Sequence, residues 1–166
     1  MKKQLRSRNP TTSGFTLLEL LVVVFIIGIL SAMGIPSWFS MINRQRVSTA
    51  QAQVVQALRS AQTTAKQTRS PQTVTFYPAE VIPTIEISGN KQKLGNGEIK
   101  EGMIQLEIPT GTESITFNGE GNVDADSLPF KVVVAGANDN PRRCVLVRTI
   151  LGAMTQGADG EPVCNP

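Results

Sequence analysis

Residues Leu20 to Asn43 form a run of 24 residues without a charge, set behind a leader that carries Lys2, Lys3, Arg6 and Arg8. As a helix such a run is too apolar for water, and about 20 apolar residues suffice to cross the roughly 30 Å hydrocarbon core of a bilayer. The leader cations hold the start of the run in the cytoplasm and send the rest of the chain outside. A secretory signal peptide is the competing reading, because Ala32-Met33-Gly34 has a small-x-small cleavage pattern. Glu19 weighs against it, as the only charged residue between Phe15 and Ile42. A charged side chain at the centre of a membrane helix costs roughly 2.5 to 3.5 kcal/mol on insertion scales, and a plain signal or anchor gains nothing from it. The carboxylate therefore asks for a cationic partner, and the simplest is a new amino terminus made by cutting the leader.

Composition closes off most catalytic chemistry. The chain has no His and two Cys, which removes His-based triads, His-ligated metals and four-thiolate zinc sites. Neither an enzyme nor a cofactor or metal is implied. The net charge of +3 misleads, because four of the 16 cations lie in the leader. From Phe15 onward 12 cations face 13 acids, so the high isoelectric point gives no general case for a nucleic-acid-binding surface.

The segment Gly14-Phe15-Thr16-Leu17-Leu18-Glu19, behind a short basic leader and before Leu20 to Leu30, resembles the type III signal of type IV pilins and type II secretion pseudopilins. In that family a membrane prepilin peptidase cuts after the Gly and methylates the new terminal Phe. The resemblance implies cleavage between Gly14 and Phe15, N-methylation of Phe15 and a mature chain of 152 residues (166 less 14). It also implies that Glu19, fifth in the mature chain, pairs with the amino terminus of a neighbouring subunit during assembly. Pro36 matches the family's helix-kinking proline. Gly28, Gly34 and Pro36 lower helix propensity together, so a kink or melted turn is expected around residues 31–36.

Beyond Pro36 the three-to-four spacing returns in Val47, Ala50, Val54, Ala57, Leu58, Ala61 and Ala65, with polar residues between. This is an amphipathic helix suited to lie on a sheet, ending near Arg69 because Ser70 precedes Pro71. From Gln72 the period changes to two. Strands are expected around Val74–Phe76, Val81–Ile87, Met103–Ile108, Ser114–Phe117, Phe130–Val134 and Cys144–Arg148. Turns or loops are expected at Ser88–Gly97, Gly119–Asp126 and Gly136–Pro141. The organisation expected is a leader over 1–14, a transmembrane and filament-core half-helix over 15–36, an amphipathic half over 37–70 and a β-rich periplasmic or extracellular domain over 71–166. The fold class is α+β and pilin-like, a long N-terminal helix packed on an antiparallel sheet or sandwich. Cys144 and Cys164 are the only cysteines and lie on the outer side, where a disulfide is expected rather than two free thiols. A loop of about 20 residues closed this way is worth roughly 3 kcal/mol.

Further segments are similar to the FimT/GspH group of minor pilins and pseudopilins. They are Ala57 to Gln62 with Pro71 to Val74, and Ile115 to Phe117 with Gly119, Gly121, Arg143 to Val147 and Leu151-Gly152. By that resemblance the chain is a low-abundance subunit that joins or initiates a type IV pilus, starting in the bacterial inner membrane with its C-terminal domain in the periplasm. Its partners are other pilin or pseudopilin subunits. A minor pseudopilin of a type II secretion system is the alternative, against which the cysteine pair tells, because secretion members usually lack it. A third reading is DNA capture for natural transformation. The Gly-Arg-x-Arg pattern of DNA-binding relatives is absent, since Gly152-Ala153-Met154-Thr155 stands there, leaving Arg142, Arg143 and Arg148 as weak phosphate contacts. Loop acids such as Glu98, Glu101, Asp124 and Asp126 read as solvated. Asn122 to Ser127 lacks the glycine and distant glutamate of a calcium loop.

Overall fold

A computed structural model of the chain describes residues 14–95, 99–158, 160–162 and 164, with the side chains of 33–37 excepted. The leader cations, Glu98 and Asp159 thus lie outside the described residues, as does the side chain of Pro36. The chain divides into two compact units, Met1–Phe39 and Ser40–Pro166.

In the first unit the chain enters helix α1, Leu17–Thr68, through a cap that the sequence encodes. The Thr16 hydroxyl accepts the Glu19 N–H at 3.2 Å, satisfying a donor that a helix start leaves open, and the Thr16 carbonyl accepts the Leu20 N–H at 3.2 Å as the first bond of the helix. Glu19 in the first turn also meets the positive end of the helix dipole. The apolar side chains here face outward, with Phe15 77% and Leu17 85% exposed. The melted turn expected around residues 31–36 is absent, because the backbone stays helical there. A single proline deletes its own hydrogen bond, while the turns on either side keep theirs and carry the helix through. Among the described residues no helix is long and apolar enough to cross a membrane. The span expected from sequence runs through residues 33–37.

In the second unit α1 turns one face inward. Val47, Ala50, Val54, Ala57, Leu58, Ala61 and Ala65 are all buried, on the stripe that the spacing marks out. The helix stops at Thr68, where Arg69 takes a left-handed φ of 51°. Gly119 permits this close ending, since a Cβ there would come within 2.7 Å of the Arg69 carbonyl carbon.

Two four-stranded antiparallel sheets follow. The first runs β3-β2-β1-β5, from β1 (Gln72–Tyr77), β2 (Thr84–Ile87), β3 (Asn90–Lys93) and β5 (Ser114–Phe117). The second runs β4-β6-β7-β8, from β4 (Ile104–Glu107), β6 (Phe130–Gly136), β7 (Arg142–Val147) and β8 (Met154–Ala158). Both share one core with the helix stripe, in which Phe76 of the first sheet meets Phe130 of the second with ring centroids 5.8 Å apart.

Three local expectations change. Asn90–Lys93, expected within a turn, is strand β3. All four side chains are exposed at a sheet edge, so no apolar alternation marks them, and pairing with β2 supplies the register. Residues 81 and 82 are bend rather than strand. Met154–Ala158, beyond the last strand expected from sequence, is strand β8, whose half-buried pattern comes from pairing with β7.

Candidate functional site

The amino-terminal segment carries the first candidate site. Residues 14–16 precede the helix without regular structure, and all three are exposed. Among the described residues nothing lies within 4 Å of where a Gly14 Cβ would stand. The Gly14–Phe15 bond thus lies in exposed chain ahead of the helix. Glu19 is exposed too, and its carboxylate makes no ion pair among the described residues. Its backbone N–H is used by Thr16 while the side chain remains available to another molecule.

The second candidate region is the C-terminal part of the second sheet. Cys144 and Cys164 are bonded, with Cα atoms 6.0 Å apart, and together with Val133 they form a small separate cluster. Beneath them lies Gln51, which sequence reasoning passed over. It is 4% exposed, and its amide donates to the Cys144 carbonyl at 2.7 Å and the Gly157 carbonyl at 3.2 Å. Its oxygen accepts from Arg143 at 3.4 Å. Gln51 thus ties α1 to β7 and β8 next to the disulfide. The available signal was a lone amide adjoining Ala50 on the apolar stripe, since a buried amide must find partners. Gln62 does similar work, donating at 2.9 Å to the carbonyls of both Gly121 and Leu151. Gly152, at φ 72°, leaves the space that the Gln62 amide occupies, because a Cβ there would fall 2.5 Å from it.

The three arginines named for DNA are not brought together. Arg142 grips Glu107 through two hydrogen bonds and also bonds Asp139, so its charge is met by carboxylates. Arg143 is turned to Gln51. Arg148 follows the far end of β7 and reaches the Pro162 carbonyl at 3.4 Å. Asp124 precedes the short 3-10 turn Ala125–Ser127, in which Asp126 lies. Among the described residues no group of three or more acids or cysteines could hold a metal ion. One phenol is perturbed: Tyr77 donates to Glu86 at 2.7 Å, and that bond, with lesser help from desolvation and the Glu86 and Glu80 charges, raises its pKa above the usual 10.0.

Residues 10–35 match the family described as the prokaryotic N-terminal methylation motif. A 54-residue stretch is 46% identical to the type IV major pilin protein PilA of Myxococcus xanthus strain DK1622, covering 32% of this chain. The match spans about a quarter (24%) of that relative's length. In fold, the chain is similar to the type IV minor pilin FimU of Pseudomonas aeruginosa strain PAO1, with a TM-score of 0.55 at 12% identity over 70% of this chain and 95% of that one. The minor pseudopilin EpsH of the Vibrio cholerae type 2 secretion system gives a TM-score of 0.49 at 16% identity, over 70% of this chain and 99% of that one.

Proposed function

We propose that this chain, which belongs to the type IV pilin and type II secretion pseudopilin superfamily, is a minor pilin of the FimT/GspH kind that joins or initiates a type IV pilus. The observation that carries the proposal is the segment Gly14 to Glu19. It combines the methylation motif, an uncovered Gly14–Phe15 bond and an exposed carboxylate that finds no partner in its own chain among the described residues. The likeness of the fold to a minor pilin supports the reading.

On this proposal the chain starts in the inner membrane as a single-pass protein with residues 71–166 in the periplasm. Prepilin peptidase removes residues 1–14 and methylates Phe15. The apolar half-helix over 15–36 then leaves lipid for the filament core, bent at Pro36, and Glu19 takes the terminal amine of a neighbouring subunit. The carboxylate is costly in lipid by itself, and the pairing returns that cost on assembly. The second half of α1 carries the β-rich domain to the filament surface. The role is structural, with no reaction at its centre.

Quantifying the chain in filaments sheared from its own cells tests the proposal. The expected result is presence at a small fraction of the major subunit, together with loss of filaments when the gene is deleted. Absence from purified filaments, with filament number unchanged on deletion, overturns it.

A further inference from the structure

Strand β8 is an outer strand of its sheet, with β7 on one side only. Its phase can be read from the hairpin, where the Arg148 N–H donates to the Ala153 carbonyl at 3.2 Å. Antiparallel pairs alternate between hydrogen-bonded and open, so Thr155 and Gly157 point their main-chain groups to β7, and Met154, Gln156 and Ala158 point theirs away from it. At Ala158 both outward groups are used. Its N–H reaches the Glu161 carboxylate at 3.3 Å and its carbonyl accepts the Glu161 N–H at 3.2 Å. Among the described residues no bond occupies the outward edge at Met154 and Gln156.

Along this edge lies a groove of about 590 Å³, between Gln156 and the face of α1 that carries Gln56, Arg59, Thr63 and Thr64. Its walls are amides, hydroxyls and small apolar groups, and Arg59 is the only charge among the described residues that line it. The one carboxylate placed at this edge among the described residues, Glu161, is bonded to the Ala158 N–H beyond the groove lining. The stretch of α1 that lines the groove, residues 52–67, carries Arg59 and Lys66 and no carboxylate. Arg59 itself makes no ion pair among the described residues. Open edges are usually blunted by charge, proline or a covering segment, because they template pairing with other chains. Here, among the described residues, the edge keeps its donors and acceptors at Met154 and Gln156 and adjoins a groove whose one charge is Arg59.

We infer that β8 and the α1 groove together bind an extended acidic segment of a partner subunit, which adds as a fifth strand beside Gln156 and sets a carboxylate on Arg59. Main-chain bonds to the edge supply affinity, and the groove selects side chains on one face of the incoming strand. A helix cannot satisfy the edge, and a nucleic acid brings anions without the alternating N–H and C=O row that a strand offers. The contact goes beyond the filament role, which is carried by the amino-terminal segment.

The test is photocrosslinking of the full-length chain in its own cells, with p-benzoylphenylalanine replacing Thr63 and the joined peptide identified by mass spectrometry. The expected adduct maps to an acid-containing segment of a partner's β domain. It should fall about tenfold with Gln156→Pro, which removes the outward donor where an edge tolerates proline, and similarly with Arg59→Glu, while Arg59→Lys retains it. Retention of the Cys144–Cys164 bond reports that each variant folds. No adduct, an adduct on a partner's N-terminal helix or on nucleic acid, or one indifferent to both Gln156→Pro and Arg59→Glu overturns the inference. Sheared filaments from the same cells separate the two proposals. Chain in filaments without the adduct removes only this contact, and the adduct in membranes with no chain in filaments removes only the filament role.

Discussion

The two ends of α1 use one secondary structure for opposite purposes. From Phe15 to Leu30 nearly every large side chain is apolar and turned outward, while from Val47 to Ala65 the apolar residues are smaller and turned inward onto two sheets. A helix of the second kind is stabilised by its own domain. One of the first kind has its apolar surface matched only by something outside the chain, whether lipid or other helices. The difference teaches that burial inside a subunit and burial between subunits are written in the same alphabet. What separates them is the company the apolar residues keep: the outward end carries a single carboxylate, and the inward end sets amides, hydroxyls and the exposed Arg59 between its apolar positions.

The comparison can be broken most decisively at Glu19. With Glu19→Ala, the processed chain should remain at normal level in membranes and vanish almost completely from sheared filaments. Normal incorporation of the variant would refute the pairing. A matched pair of substitutions sharpens the contrast next. Leu58→Ala, at a site with no exposure, should cost about 2 to 5 kcal/mol in urea unfolding of the full chain in micelles. Leu20→Ala, 60% exposed, should leave that transition within about 0.5 kcal/mol. Equal losses would mean that the outward end is packed within its own subunit after all.

A smaller effect is expected at Gln51. Gln51→Ala removes the side-chain donor from the buried Cys144 carbonyl, which keeps its bond to β8, and should cost about 1 kcal/mol, visible as faster hydrogen exchange in β7 and β8. The smallest effect concerns Tyr77, the only tyrosine, which makes an ultraviolet titration unambiguous. Its midpoint should lie above 10.0, and Glu86→Ala should bring it down. Because folding raises this phenol's pKa, the contribution of the bond is full at neutral pH and is lost as pH rises through the raised value. Identical midpoints in the two proteins would dismiss the Tyr77–Glu86 bond.

Much of this was legible in the sequence where a periodicity or a charge had one physical cause. The inward stripe of α1, the two-residue alternation of β1, β4 and β5, and the glycine-to-glutamate segment at the start each follow from such a signal. Strand β3 escaped because four polar residues at an edge carry no alternation, and β8 because pairing with β7 alone makes it a strand. The expected melted turn failed because propensity is local, whereas a continuous helix also draws on the bonds around it. Gln51 and Gln62 were hidden for a related reason. An amide near an apolar stripe gains meaning only when the carbonyls of Cys144, Gly121 and Leu151 are folded against it.

The most direct test of the central claim, that residues 1–14 are removed to leave Phe15 as the working terminus, is the intact mass of the chain extracted from membranes of its own cells, with and without reductant. The mass predicted is that of residues 15–166 with an added methyl group, lighter by two hydrogens before reduction because Cys144 and Cys164 are joined. A mass beginning at Ile35 would instead describe an ordinary secreted domain and contradict the assembly account.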